Sequence, residues 1–83
     1  MAEKTVTSKR YNLLDVRELY VSGERIMVLI CKEWNGYGRR RIEIGPWHNQ
    51  NLRETAMILV PGDVILVHEN TCGLVHNIEE IEY

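Results

Sequence analysis

Cations and flat rings crowd one stretch of this 83-residue chain, where Trp34, Tyr37, Arg39, Arg40 and Arg41 lie between Lys32 and Trp47. Guanidinium and ammonium groups neutralise phosphates, guanidinium also stacks on rings, and aromatic side chains stack on bases. The chemistry on offer is therefore capture of a single-stranded polyanion, RNA or DNA. Lys32, Arg39 and Arg41 are the candidate phosphate contacts. Trp34, Tyr37 and Trp47 are the candidate stacking platforms. Each has a plainer counterpart: Trp34 or Tyr37 can finish a core, and an arginine-rich hairpin can simply keep an edge strand from aggregating.

Other chemistry finds less support. His48, His68 and His76 with Cys31 and Cys72 contain no pair at the close spacing of a structural zinc motif. Cys72 near His68 or His76 lacks an accompanying glycine motif for an oxyanion, and there is no phosphate-binding glycine loop. No catalysis, metal or cofactor is expected. Two cysteines are too few for a disulfide framework, and Cys31 sits in the apolar run Ile26 to Cys31, where a buried small hydrophobe is expected. Reduced thiols suit a cytoplasmic protein, or one of the nucleoid or nucleus.

The elements that must position these residues read as follows. Residues 1–10 are polar and are expected to form a flexible N-terminal arm, with one domain over 11–83. A first strand is expected over Leu13 to Val21, closed by a turn at Ser22-Gly23-Glu24. Arg25 to Trp34 is strand-forming throughout and apolar on both faces, which predicts a central or bent strand. Asn35-Gly36 signals a hairpin through its tolerance of positive φ. In the return strand, Arg39 to Gly45, alternation sets Arg40, Ile42 and Ile44 on one side and Arg39, Arg41 and Glu43 on the other. Asn51 and Glu54 have capping-box spacing, predicting a helix over Leu52 to Leu59 that buries Leu52, Ala56 and Leu59. Pro61-Gly62-Asp63 stops it, Val64 to Val67 is a buried strand, Glu69 to Gly73 a loop, and Leu74 to Ile78 a last strand. Beyond Ile78 the pattern fits helix or strand, with strand preferred.

This order predicts an all-β protein with one short helix, a five-stranded OB-fold-like barrel whose helix lies between strands three and four. Gly23-Glu24-Arg25-Ile26 leading to Cys31, Arg41 to Gly45, and Gly62 to Val67 resemble the S1-like barrels of the translation initiation factor one and one-A family, and small single-strand-binding OB domains. Where the initiation-factor pattern has a basic cluster after the third strand, this chain has Pro46 to Asn51. The resemblance implies non-catalytic nucleic-acid binding across strands two and three.

Composition sets the bounds. The chain is too short for a second, Rossmann-type cofactor domain, and no apolar run approaches the roughly 20 residues of a membrane span. A soluble, intracellular protein with no membrane contact is expected. The net charge of −2 conceals a split: all ten Lys and Arg lie at or before Arg53, giving +4 there, and the remainder carries −6. A basic half suits a polyanion, whereas the overall acidity opposes indiscriminate binding. The alternative partner is a protein, or a second copy forming a homodimer, engaged through an edge strand and the acidic segment Ile78 to Tyr83.

Overall fold

The computed structural model describes residues 6–81. Its elements are β1 (Val6–Val21), β2 (Glu24–Glu33), β3 (Arg39–Ile44), α1 (Gln50–Ile58), β4 (Val64–Asn70) and β5 (Val75–Ile81). All five strands form one antiparallel sheet in the order β3-β2-β1-β4-β5. The mostly β architecture with one short helix between β3 and β4 matches the sequence reading, and β5 continues as strand through Ile81.

β1 is long because it serves two partners. Its first half pairs with β4, from Val6↔Asn70 to Asn12↔Val64, and its second half pairs with β2, from Tyr11↔Glu33 to Val21↔Glu24. A bulge between Leu13 and Asp15 lets the strand bend from one partner to the other. The Pro61-Gly62-Asp63 turn docks there: Gly62 N–H donates to Leu13 O, and Leu13 N–H donates to Asp63 O, both at 2.8 Å. Val6 to Arg10 are therefore strand. Of the arm expected over residues 1–10, only 1–5 fall outside the described residues.

The sheet coils without closing. Among the described residues no ladder joins β3 to β5, and no Cα of one lies within 8 Å of the other. Closure into a barrel is thus a correction to the sequence reading. Side chains reach across in place of backbone, as Arg40 of β3 donates to Gly73 O beyond β4.

Turn chemistry differs between the β1–β2 and β2–β3 hairpins. Ser22 (φ 51°) and Gly23 (φ 80°) make the two-residue turn between β1 and β2, in the left-handed backbone that such turns demand. At Asn35-Gly36 neither residue has positive φ. There the glycines make room: side chains at Gly36 or Gly38 would collide with the Glu33 carboxyl group.

The N-cap of the helix lies two residues before the expected one. Asn49 Oδ1 accepts from Leu52 N–H at 2.8 Å, so Asn49, not Asn51, is the N-cap. The buried stripe of Leu52, Ala56 and Leu59 is as expected, and it packs into one core with Leu13, Leu29 and Ile65. No helix among the described residues is long and apolar enough to cross a membrane.

Candidate nucleic-acid interface

Ladder register determines what meets what on the outward face of the sheet. Lys32 stands opposite Arg39 on one side and Asn12 on the other. In the next row Ile30 lies between Arg41 and Asp15, and in the row after that Val28 lies between Glu43 and Arg17. Val28 is buried although it belongs to this outer face. A hollow of about 170 Å³ there is lined by Arg17, Leu19, Val28, Ile30 and Arg41. Arginine stems beside an apolar floor are the arrangement expected of long side chains that keep their heads in water.

The charges on this face are only partly matched. Arg41 pairs with Glu43 at 3.2 Å and Arg17 with Asp15 at 2.8 Å, both well exposed. Arg17 holds the Asp15 carboxyl below its usual range by donating to it. Among the described residues neither Lys32 nor Arg39 has an ion pair. In sheet order β1, β2 and β3 are adjacent on one side and acidic β4 and β5 on the other, with Arg40 of β3 reaching across to Glu69 of β4.

Beyond Lys32 the chain leaves β2 at Trp34, whose N–H donates to Arg10 O at 3.1 Å. Trp34 is half-buried, and the Arg10 guanidinium stands 5.5 Å from its ring centroid. Tyr37, at the hairpin tip, is 97% exposed. Lys32, Arg39 and Arg41 therefore share the outward face of the β2–β3 hairpin, and Trp34 and Tyr37 lie in the connection at its turn end.

Trp47 is placed elsewhere. It follows β3, and the seven residues from Arg39 to Gly45 span about 20 Å of strand. Its ring covers Gly45, where any side chain would strike it, and it packs against His48 with ring centroids 5.5 Å apart. His48 secures this turn: its Nδ1 accepts from Gly45 N–H and its own N–H donates to Gly45 O. Partial burial holds the imidazole below its ordinary pKa. Trp47 is 61% exposed and borders a groove of about 250 Å³ with Arg40, Arg41 and Leu74. Arg41, which lines both this groove and the hollow, connects the two regions.

Arg40 does different work from its neighbours. It points inward, pairs with Glu69 at 2.5 Å, donates to the Tyr11 hydroxyl at 3.3 Å and lies over the Tyr11 ring. This pairing lowers the Glu69 carboxyl from its usual range and raises the Arg40 guanidinium. The alternation that set Arg40 apart from Arg39 and Arg41 already pointed to this.

Arg10 and Arg17 were missed. Arg10 lay in the presumed arm, and Arg17 was read only as part of a strand. The signal that could have found them is alternation, since buried Tyr11 and Leu13 put Arg10 and Asn12 on the opposite face. The histidines and cysteines do not assemble: among the described residues no three His, Cys, Asp or Glu side chains form a group able to hold a metal ion. Compared with family models, with curated proteins and with solved structures, the chain matches none of them.

Proposed function

We propose that this protein binds single-stranded nucleic acid, RNA or DNA, on the outward face of β2 and β3, without catalysis. One observation carries the reading: Lys32 stands directly opposite Arg39, with Arg41 in the adjoining row, and neither Lys32 nor Arg39 has an acidic partner among the described residues. Opposed like charges weaken a strand pair, so this arrangement costs stability unless an anion bridges it. Phosphates supply that anion. Tyr37 and Trp34 beside the cations supply stacking surfaces that accept any base. In this reading the β3 face runs from Tyr37 past Arg39 and Arg41 towards Trp47. The OB-fold likeness drawn from the element order supports the same face.

The test is fluorescence anisotropy with labelled poly-pyrimidine and mixed-sequence RNA at about 50 mM salt. Binding is expected, and Arg39→Glu with Arg41→Glu is expected to abolish it while circular dichroism stays unchanged. A flat titration with the unaltered protein would overturn the reading.

A second reading has one observation in its favour. β3 and β5 end the sheet, and among the described residues neither edge is paired. Unpaired edges accept strands from other chains. Under that reading the protein is an interaction module or homo-oligomer, and light scattering would show a mass above that of the 9.7 kDa monomer.

A further inference from the structure

A cleft lies beside the β2–β3 face, not on it. It measures about 440 Å³ and is lined by Ser8, Lys9, Arg10, Glu33, Trp34, Asn35 and Leu66. That volume is within the range of small-ligand pockets. It forms where β1 leaves β2 for β4, so the end of β2 and the start of β1 become its two walls.

The chemistry of the lining is specific. Ser8 Oγ lies 2.7 Å from His68 Nδ1, and His68 Nε2 lies 3.2 Å from a Glu79 carboxylate oxygen. A carboxylate only accepts, so in the neutral ring the proton resides on Nε2 and Nδ1 becomes the acceptor. Ser8 must then donate its own hydroxyl proton to Nδ1. Its oxygen lone pairs are left as acceptors for a group in the cleft, as is the amide oxygen of Asn35. Lys9 and Arg10 outnumber the Glu33 carboxylate in the lining and leave it net positive, while Trp34 adds a flat ring and Leu66 an apolar side chain. Acceptors for a donor group, cations for an anion and a ring for a ring describe three parts of one ligand.

We infer that this cleft binds a nucleotide unit, with the base against Trp34, the phosphate at Arg10 and Lys9, and a sugar hydroxyl or exocyclic amine donating to Ser8. Its source is either a free mononucleotide or the phosphorylated end of a strand. The cleft shares Trp34 with the proposed β2–β3 face but does not require Arg39 or Arg41.

The experiment uses Trp47→Phe, which leaves Trp34 as the sole indole, and follows its fluorescence. Titrants are AMP, CMP, GMP and UMP, then short oligonucleotides carrying a 5′-phosphate, a 3′-phosphate or neither. Saturable quenching by mononucleotides, weakened about ten-fold by Arg10→Ala, is expected for a free-nucleotide site. Preference for a phosphorylated oligonucleotide over its unphosphorylated counterpart, with the same Arg10 dependence, assigns the cleft to strand ends. Arg10→Lys keeps the charge but loses the planar group, and should bind between the two. Arg39→Glu with Arg41→Glu should leave mononucleotide binding within two-fold, which separates this inference from the fate of the β2–β3 face. If no titrant saturates, or if Arg10→Ala and Ser8→Ala bind like the parent, the inference is wrong.

Discussion

Lys32 and Arg39 face each other directly across the β2–β3 ladder, two cations at a cross-strand pair. Cross-strand pairs of opposite charge contribute roughly 0.2–1 kcal/mol, and like charges subtract. Arg39→Glu is therefore expected to raise stability by up to about 1 kcal/mol while removing oligonucleotide affinity. Urea melts and anisotropy on the same preparation would check this. A variant that loses both would mean that Arg39 acts in folding.

Salt dependence should count the contacts. Each phosphate neutralised on a single strand contributes a slope of about −0.7 to the plot of log K against log salt. Lys32, Arg39 and Arg41 together predict about −2. Arg41→Gln should reduce the slope by about 0.7, whereas Tyr37→Ala should lower affinity and leave the slope alone.

The Arg40–Glu69 pair predicts acid sensitivity. Arg40 holds the Glu69 carboxyl below its usual 4.5, so the folded form binds that proton less readily than the unfolded chain. The stability this supplies is full above pH 4.5 and is lost as pH falls through the folded value. Glu69→Gln should cost about 1–3 kcal/mol near neutrality by stranding a half-buried guanidinium. It should also flatten the acid limb of a stability-against-pH profile.

The thiols should separate cleanly. Cys31 is wholly buried, and desolvation pushes its thiol up to about 11, whereas Cys72 is exposed between β4 and β5. Iodoacetamide should alkylate Cys72 in the native protein and reach Cys31 only in denaturant, as mass spectrometry of the peptides would show.

Asn49→Ala should destabilise by about 1 kcal/mol through the lost N-cap, and Asn51→Ala by much less. Thermal melts of the two variants would decide between the observed cap and the one predicted from sequence.

That last pair marks where sequence reasoning ran short. Both Asn49 and Asn51 suit an N-cap, and Asn51 has Glu54 at capping-box spacing. The choice fell to Asn49 because the helix must turn Leu52 and Ala56 into the core, a tertiary demand that local propensity does not carry. Strand identities were legible because the apolar runs of β2 and β4 leave no other option. The start of β1 was not: Thr7, Ser8, Lys9 and Arg10 are polar whether they float or pair, and only the presence of β4 alongside makes them strand. The candidate site was legible on β2 and β3, where alternation assigns the face. Trp47 was grouped with it because nearness in sequence conceals the length of β3. Closure of the sheet depends on the width left between its two edges, which no spacing of residues encodes.

The division of β1 between two partners has a consequence for synthesis. Ser8 reaches its partner His68 only after sixty further residues have been added. While the ribosome is still making β2 and β3, the leading half of β1 has no neighbour to hold it. The β1–β2–β3 meander can assemble early, but the cleft beside Trp34 takes shape only when β4 emerges.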